Sequence, residues 1–449
     1  TGLAVFNSTL YVADTGNALV RSVFVGGGPI TTFAGNGTLS FSGDGGPAAS
    51  AEMGIPYAIA LDSSGNQYIA DSQNNLVRKV DVTGTIMSLG ANAGLKNPRG
   101  VAVDASGAVY VSDTKNQRVI RIAPGGGVTI MAMGLNRPRG LALDAQGHLF
   151  IADTGNNRVV EVTSPGVVTV VAGNGQLNGP RALAFDSQGN LFISDSDSNR
   201  IRELSNGVLT TIAGTGVAGA AGDGGPATSA QLNFPFGLGF DGAGNLYIAD
   251  TGNNRLRVIQ HGIITTVVGV CGGVSGFSGD GGLASTAQLN VPYGIAVDSA
   301  GDVYVADAFN NRIRGASAIT GLRGGTCQSP PTGKGGGSRL IDLGPGPRLA
   351  SSTQPSSTVK PAAPTRLIHP SAGSPVTAPS RVVPPAAQSH AANVPPAEVA
   401  APSHSARAPV MSRMATPAPQ NPMYASALGA VPLLCVALFA LVRWRRRRL

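Results

Sequence analysis

Residues 292–314 read PYGIAVDSAGDVYVADAFNNRIR, and this stretch decides the fold because copies of it recur along the chain. Each copy has a proline, a short apolar run, an Asp-x-x-Gly turn, a second apolar run that ends in Asp, and an Asn/Arg segment. The second Asp falls at positions 14, 71, 113, 153, 195, 250 and 307. The copies are Pro98 to Arg121, Pro138 to Val160, Pro180 to Arg202, Pro235 to Arg257 and Pro292 to Arg314, with a looser one at Pro56 to Arg78 and a clipped one at Gly2 to Arg21.

The repeat spacing and the apolar pattern predict an all-β propeller. About 42 residues per repeat suits one four-stranded blade. In the quoted copy, Ile295–Val297 is strand A, Asp298–Gly301 is a tight turn, Val303–Ala306 is strand B and Arg312–Arg314 begins strand C. A β-rich run between repeats, such as Val208–Ile212, supplies strand D. Seven copies predict seven blades, which bury their faces only against one another and must close into a ring.

The repeated unit resembles the NHL repeat, and the resemblance covers most of residues 1–325. The long segments between repeats at Gly43–Ala48, Gly222–Ala227 and Gly279–Ala284 look like those of teneurin-type and bacterial surface proteins. The resemblance implies a β-propeller that is displayed outside the cell. Because the family commonly closes with six blades, six stays open beside seven.

Composition divides the chain into four parts. Residues 1–325 carry the repeats, whereas residues 326–422 are rich in Pro, Ala and Ser and are predicted to be a disordered stalk. Met423–Val442 is uncharged and long enough to be a transmembrane helix. The basic residues 443–449 are expected to be a cytoplasmic tail under the positive-inside rule. The sequence thus predicts a membrane-anchored propeller in the periplasm or on the cell surface.

The charge distribution argues against a nucleic-acid partner. The chain has a net charge of +8, but residues 1–328 hold 19 Lys/Arg and 22 Asp/Glu, a balance of −3. A domain that binds nucleic acid concentrates positive charge on its folded face. The positive charge here belongs to the C-terminal part, so we expect no nucleic-acid partner.

The repeats show no catalytic signature. Related propellers include lyases and lactonases, but residues 1–325 contain only His148 and His261, which cannot form a three-histidine zinc site. Each long insertion offers one carboxylate, Asp44, Asp223 or Asp280, which falls short of a calcium cage. We therefore expect no catalytic residue, no cofactor and no metal. A Ca²⁺ site built from scattered Asp and Asn, as in lactonases, remains open because such ligands converge only in space.

The alternating strand directions place the connections on two faces. The B–C and D–A connections share one face, here called the upper face, and the A–B and C–D connections share the lower face. The three long insertions are D–A connections, so we expect them to raise one sector of the upper face.

The residue after the repeat's Pro begins strand A and should lie at the upper mouth of the central channel. The hypothesis is a ligand-binding rim with a cationic arc facing an aromatic arc, which suits a partner with an anionic group and a flat or apolar one. In the alternative, each Arg pairs with the Asp that ends a neighbouring strand B, and each aromatic packs beneath its loop. The rim residues are Arg99, Arg139, Arg181, Tyr57, Phe236 and Tyr293.

The repeated Asp and Arg residues are interpreted as structural. A catalytic site needs one set of side chains, whereas these residues recur in nearly every blade. We expect them to bond and pair between blades. Cys271 and Cys327 bracket the last repeat and could form a disulfide in an oxidising compartment. The structural set is Asp71, Asp113, Asp153, Asp195, Asp250 and Asp307 with Arg118, Arg158, Arg200, Arg255 and Arg312.

These observations favour a binding or scaffold module over an enzyme. The module would display one propeller face to a protein or glycan partner. The alternative function is a lactonase- or lyase-like propeller enzyme with its site at the channel mouth.

Overall fold

The repeats fold into seven antiparallel sheets in the computed structural model, which describes residues 1–25, 27–270 and 272–317 and the backbone of residues 340–342. Each sheet is a blade with strands A to D in sequence order, and the sheet of blade 6 has a further two-residue strand from an insertion at its outer edge. Strand A of each blade contacts strand A of the next, and strand A of blade 7 contacts strand A of blade 1. The ring is therefore closed. The prediction of seven four-stranded blades is confirmed, and the alternative of six is wrong.

The strands are short and evenly repeated. Blades 1 to 3 contain β1 (Leu3–Phe6), β2 (Thr9–Asp14), β3 (Leu19–Phe24), β4 (Thr31–Ala34), β5 (Pro56–Leu61), β6 (Gln67–Asp71), β7 (Leu76–Val80), β8 (Ile86–Leu89), β9 (Pro98–Val103), β10 (Val109–Asp113), β11 (Arg118–Ile122) and β12 (Val128–Ala132). Blades 4 and 5 contain β13 (Pro138–Leu143), β14 (Leu149–Asp153), β15 (Arg158–Ser164), β16 (Val167–Ala172), β17 (Pro180–Phe185), β18 (Leu191–Asp195), β19 (Arg200–Ser205) and β20 (Val208–Ala213). Blades 6 and 7 contain β21 (Gly225–Pro226), β22 (Pro235–Phe240), β23 (Leu246–Asp250), β24 (Arg255–Gln260), β25 (Ile263–Val268), β26 (Pro292–Val297), β27 (Val303–Asp307), β28 (Arg312–Ala316) and β29 (Leu340–Asp342).

Helical structure in the described residues is limited to single 3-10 turns. None of these turns is long or apolar enough to cross a membrane. In every blade but blade 2, one of these 3-10 turns connects strands B and C. The remaining 3-10 turns lie in D–A connections. They are Thr15–Asn17, Ala48–Ser50, Ala91–Ala93, Thr114–Asn116, Thr154–Asn156, Ser196–Ser198, Ala227–Ser229, Thr251–Asn253, Ala284–Thr286 and Ala308–Asn310.

Blade 7 is completed by a strand that lies well beyond its neighbour in the sequence. β29 pairs antiparallel with β28, so that Arg314 lies opposite Asp342. The sequence placed the end of the propeller at residue 325, and the sheet extends past that boundary. Apart from β29, the predicted stalk (326–422), the predicted transmembrane helix Met423–Val442, the tail (443–449) and the Cys271–Cys327 pair lie outside the described residues.

Strand B is buried on both of its faces. All five residues of strand B are buried in blades 2 to 7. Because strand B lies between two neighbouring blades, both of its alternating sets of side chains are mainly apolar, as in Leu149–Asp153. The core clusters accordingly join adjacent blades, as where Tyr110 and Val119 of blade 3 pack with Leu149 and Val160 of blade 4. No blade has a core of its own, which is why the ring must close.

The A–B turn has the chemistry that the sequence predicts. In blade 5 the Asp186 Oδ1 accepts the N–H groups of Gln188 and Asn190, both at 2.9 Å. Gly189 takes the left-handed backbone with φ +85°. The Asp and the Gly therefore close the turn together, and the predicted tight turn is confirmed.

A side-chain hydroxyl ties each of blades 1 to 6 to the next blade. In these blades the residue after the second Asp of the repeat is Ser or Thr. Its hydroxyl group donates a hydrogen bond to the carbonyl of the Pro that begins strand A of the next blade. In blade 6 the Thr251 Oγ1 lies 2.7 Å from the Pro292 carbonyl oxygen in a buried position. The donors are Thr15, Ser72, Thr114, Thr154, Ser196 and Thr251.

Replacing Thr251 by valine is expected to lower the free energy of unfolding by about 1–2 kcal/mol. Valine keeps the shape of the side chain but removes the donor from the buried Pro292 carbonyl. Thr169→Val on the exposed strand D of blade 4 is the matched control, with an expected change below about 0.5 kcal/mol. Urea denaturation of the full chain measures both. Equal midpoints for the two variants would contradict the role of the hydroxyl.

The long insertions line the outer edges of the blades that follow them. The Gly45 N–H donates to the Ile86 carbonyl at 2.8 Å, and the Ile86 N–H donates to Gly46 at 3.0 Å. Gly225–Pro226 pairs with the outer strand β25 of blade 6. The free backbone groups of an edge strand explain this position. Other residues of the same insertions contact the upper face, where Ser40 and Gly219 accept the side-chain N–H groups of Asn74 and Asn253 in B–C connections. The raised sector stays a prediction.

Candidate ligand-binding site at the channel mouth

The six rim residues occupy the second position of strand A in blades 2 to 7. Adjacent inner strands approach closely here because the next residue is often glycine. A Cβ atom on Gly100 would overlap the carbonyl oxygen of Arg139, and one on Gly140 would overlap that of Arg181. The structure therefore arranges the rim in blade order: Tyr57, Arg99, Arg139, Arg181, Phe236 and Tyr293.

Phe236 and Tyr293 of the aromatic arc are in direct contact. The rings of Phe236 and Tyr293 meet edge to face, with centroids 5.0 Å apart. Phe234 joins them, because the Arg181 guanidinium lies 4.5 Å from the centroid of Phe234 and 5.9 Å from that of Phe236. The sequence analysis missed Phe234, which precedes Pro235 and lies outside the repeated motif.

Phe234 is held in an unfavourable backbone conformation. Its φ is +51°, in the left-handed region. At the same position of the repeat Asn97 and Gly179 also have positive φ, but Asn and Gly tolerate it, whereas a bulky residue rarely does. Arg137 of blade 4 and Val291 of blade 7 have the same conformation at this position, with φ +52° and +56°. Strain that persists beside a channel mouth is a reason to consider a functional role.

The cationic arc is only partly neutralised. Arg99 donates from Nε to the Asn97 Oδ1 at 3.1 Å, and Arg181 pairs with Asp197 at 3.2 Å. Among the described residues, the Arg139 guanidinium has no hydrogen bond or ion pair. None of the three arginines pairs with the Asp that ends a strand B, so the alternative interpretation of these arginines is wrong.

The two arcs meet at both of their ends. Arg99 lies over the ring of Tyr57 at 5.1 Å, and Arg181 lies beside Phe234 and Phe236. Cations over aromatic faces attract each other in this geometry. The rim is thus a belt of aromatic and guanidinium groups through blades 2 to 7, and Thr1 of blade 1 separates Tyr293 from Tyr57.

Arg139 is the arginine of the belt whose guanidinium has neither a hydrogen bond nor an ion pair among the described residues. Burial, together with the neighbouring charges of Arg181, Arg99 and Arg137, lowers the pKa of Arg139 to about 10. The buried Nε atoms of Arg139 and Arg181 have no partner among the described residues. An anion at the mouth would accept these donors and relieve the repulsion between the arginines.

The Asp that ends strand B binds the connection that enters its own blade. Asp153 accepts the N–H of Asn136 at 2.6 Å and the Nε–H of Arg158 at 2.7 Å. Since Asp153 and Arg158 are cross-strand neighbours, the ion pair lies within a blade. The expectation of pairing between blades is wrong, because the Ser and Thr hydroxyls make those bonds. The other Asp residues, Asp71, Asp113, Asp195, Asp250 and Asp307, accept N–H groups from Gly54, Lys96, Asn178, Asn233 and Asn290.

The repeated arginines are less uniform than the aspartates. Arg118 and Arg255 pair with the Asp of their own blade, at 2.7 and 3.3 Å. Arg200 instead donates to the carbonyl of Thr215. Arg312 lies over the ring of Phe277 at 4.2 Å. The arginine position therefore tolerates several partners, whereas the aspartate role is fixed.

Each insertion carboxylate is engaged by an arginine of the following blade. The three arginines are fully buried, and the insertion supplies their countercharge. Burial raises the pKa of the neighbouring Asp307 to about 6 even though Arg314 opposes the shift. The pairs are Asp44–Arg78 at 2.9 Å, Asp223–Arg257 at 2.5 Å and Asp280–Arg314 at 2.7 Å.

One group of potential metal ligands lies elsewhere. Within the described residues, Asp144, His148 and Glu161 bring their ligand atoms within 4.8 Å of one another. Asp144 and His148 lie in an A–B turn, so the group belongs to the lower face. The sequence analysis considered His148 alone and missed this group, whose signal is a His where other repeats have Asn.

The comparisons with known proteins agree with this architecture. The NHL repeat family model matches residues 95–122, 135–161 and 289–315. The chain therefore contains NHL repeats and folds as a seven-bladed β-propeller.

Three known proteins are similar to parts of the chain. Human Teneurin-4 is 40% identical over 100 residues, which is 20% of this chain and 4% of the teneurin. Virginiamycin B lyase from Staphylococcus aureus superposes with a TM-score of 0.51 at 14% identity, over 68% of this chain and 90% of the lyase. An auxiliary nutrient binding protein from Bacteroides ovatus gives a TM-score of 0.48 at 17% identity, over 64% and 75% of the two chains. The likeness to the lyase shows the fold alone.

Proposed function

We propose that the propeller is an extracytoplasmic binding module that receives a protein or glycan partner at the upper mouth of its channel. The observation that carries the proposal is Arg139, a half-buried guanidinium without a partner among the described residues and with arginines on either side. A structural arginine would be expected to have a countercharge, whereas a ligand-binding one keeps its donors for the ligand.

The belt favours a partner with two features. An anionic group, such as a carboxylate, would accept hydrogen bonds from Arg139 and its neighbours, since guanidinium groups bind carboxylates bidentately. A flat or apolar group would pack on Phe236 and Tyr293, whose edge-to-face pair forms the opposite side of the mouth. Acidic peptides and acidic sugars both combine these features.

The proposal includes anchoring at the membrane. The uncharged run Met423–Val442 and the arginines that follow it support a C-terminal transmembrane helix with a cytoplasmic tail. The Pro-rich residues 326–422 would then hold the propeller away from the membrane. The resemblance of the repeats to those of surface proteins supports a proposed location at the bacterial surface or in the periplasm.

The alternative, a lyase- or lactonase-like enzyme at the mouth, has less support from the site. In the described residues, the one group of three His, Cys, Asp or Glu side chains that could hold a metal ion belongs to the lower face. The belt supplies guanidinium groups and aromatic rings, which bind and orient a ligand, and its residues include neither a carboxylate nor an imidazole.

Replacing Arg99, Arg139 and Arg181 together by alanine is expected to weaken binding to acidic ligands at least about tenfold, because charge-assisted hydrogen bonds are worth about 1.5–3 kcal/mol each. The full chain would be screened on arrays of acidic peptides and uronic-acid oligosaccharides, with neutral versions of each. The ligands retained by the parent chain would then be titrated against the variant.

A variant with the same loss of charge elsewhere separates the belt from general electrostatics. Lys79→Ala, Lys115→Ala and Arg121→Ala remove three cations outside the belt and should leave binding nearly unchanged. If the triple variant of Arg99, Arg139 and Arg181 still binds every ligand of the parent chain, the proposal is wrong.

A further inference from the structure

Blade 4 carries a cluster of three potential metal ligands on the lower face. The His148 Nδ1 lies 2.9 Å from the Asp144 Oδ2 and 3.5 Å from the Glu161 Oε1. Zinc-ligand bonds of about 2.0–2.2 Å separate tetrahedral ligands by about 3.3–3.5 Å, so the observed spacing is close to that of a metal site. All three side chains are partly exposed, which leaves the cluster open to an ion from solvent.

The backbone holds the three side chains in place. The Asp144 Oδ1 accepts the N–H groups of Gln146 and His148 at 2.9 and 2.8 Å, so its Oδ2 faces the imidazole. Glu161 lies on strand C directly opposite Phe150 of strand B. The ligands therefore project from a tight turn and an adjoining strand, which are rigid elements.

The other blades show what the fold itself requires at this place. At the position of His148, three blades have an asparagine whose amide donates to the turn Asp. At the position of Phe150, four have a tyrosine whose hydroxyl donates to the same Asp. At the position of Glu161, blades 2 and 3 have Lys79 and Arg121. Blade 4 thus lacks the Tyr hydroxyl, has an imidazole nitrogen in place of the Asn amide, and has a carboxylate where blades 2 and 3 have a cation.

These changes leave two carboxylates facing one imidazole. Within the described residues, His148 is the one basic group within 4.0 Å of Asp144 or Glu161. The fold does not need the histidine, because blade 5 combines Asp186, Asn190 and Glu203 on the same turn and strand. An imidazole added to two such carboxylates is a donor set that fits a metal ion.

We propose that the His148 Nδ1, the Asp144 Oδ2 and the Glu161 Oε1 bind one divalent transition-metal ion of the Zn²⁺ type. Imidazole nitrogen and carboxylate oxygen are ligands that Zn²⁺ accepts in tetrahedral sites. Three protein ligands leave a fourth position for water or for a side chain of a bound partner. This site is separate from the belt at the channel mouth and does not depend on the proposed function.

Isothermal titration of the full chain with ZnCl₂, after treatment with EDTA, tests the site. The chain contains five His and three Cys, so the informative quantity is the difference between the parent and each variant. His148→Asn reproduces the arrangement of blade 5, and Glu161→Gln keeps the shape of the side chain. His261→Asn is the matched control, because His261 is an exposed lower-face histidine whose positive φ suits asparagine.

We expect the parent chain and H261N to bind one Zn²⁺ more than H148N or E161Q. Thermal unfolding in EDTA should give nearly the same midpoint for all four proteins, so that a lost site is not a lost fold. Equal Zn²⁺ uptake by the parent, H148N and E161Q would overturn the proposal. In that case the imidazole serves the two carboxylates as a proton donor.

Discussion

Asp223→Asn is expected to lower the free energy of unfolding by about 3–5 kcal/mol, because it leaves a buried charge without compensation. Asp223 is 2% exposed and accepts bonds from Arg257, Arg255 and Thr266. Once its charge is removed, Asp250 alone must balance two fully buried arginines. Burial lowers the pKa of Arg257 and raises that of Asp250, because the charged forms of both groups are poorly solvated here.

Asp44→Asn provides the matched control for this prediction. Asp44 stands at the same place in its insertion and pairs with Arg78 at 2.9 Å, but it is 40% exposed. Water can replace the lost carboxylate there, so we expect a loss of about 1 kcal/mol or less. Urea denaturation of the full chain measures both variants. The burial argument fails if the two variants shift the midpoint equally.

A second substitution should recover part of the stability of D223N. Arg257→Ile removes the cation that Asp223 neutralised, and isoleucine is the residue at the equivalent position of blade 3, Ile120. Apolar residues of similar volume often replace buried ion pairs without loss. If D223N with R257I is less stable than D223N alone, packing of the Arg257 stem outweighs its charge.

The sequence contains a signal for the pairing of the insertion carboxylates with arginines. The position two residues after the first Arg of the repeat is arginine in each blade that follows a long insertion. It is Ile120 and Val160 in blades 3 and 4, which follow short connections. Arg21 of blade 1 and Arg202 of blade 5 are exceptions, since Arg21 pairs with Asp14 and Arg202 donates to the carbonyl of Gln176. Comparison of repeats within one chain therefore predicts which carboxylates are structural.

The blades could be predicted because each depends on local signals. Each repeat contains its own Asp-x-x-Gly turn and two apolar runs at a constant spacing. The seven copies then determine the number of blades in the ring. The predicted order of the rim residues follows from the same periodicity. Sequence reasoning therefore succeeded where one position in the repeat has one place in the fold.

The contacts that cross between repeats could not be predicted in the same way. Phe234 lies outside the motif, and its left-handed backbone is visible only in three dimensions. β29 joins blade 7 from beyond residue 325, in a segment without any repeat pattern. The Asp144–His148–Glu161 group depends on the cross-strand register of two strands. Each case requires knowledge of which residues face each other.

Gly100→Ala is expected to lower the free energy of unfolding by about 3 kcal/mol, because a Cβ atom at this position has no space. It would overlap the Arg139 carbonyl oxygen and lie 2.7 Å from the Ser112 Oγ. These two atoms are themselves joined by a hydrogen bond of 2.7 Å across the boundary between blades 3 and 4. The inner strands must separate to admit the methyl group, which breaks that bond and displaces Arg139 from its place at the mouth.

Gly242→Ala is the control for G100A, since a Cβ atom there meets nothing within 4 Å and the expected change is below about 0.5 kcal/mol. Blades 2 and 5 have Ala58 and Ala182 at the position of Gly100, so alanine itself is compatible with the repeat. The cost therefore comes from the spacing between blades 3 and 4, which sets both the stability of the ring and the position of Arg139. A G100A chain as stable as G242A would show that the inner strands can move apart freely, and the belt could then not be a preformed site.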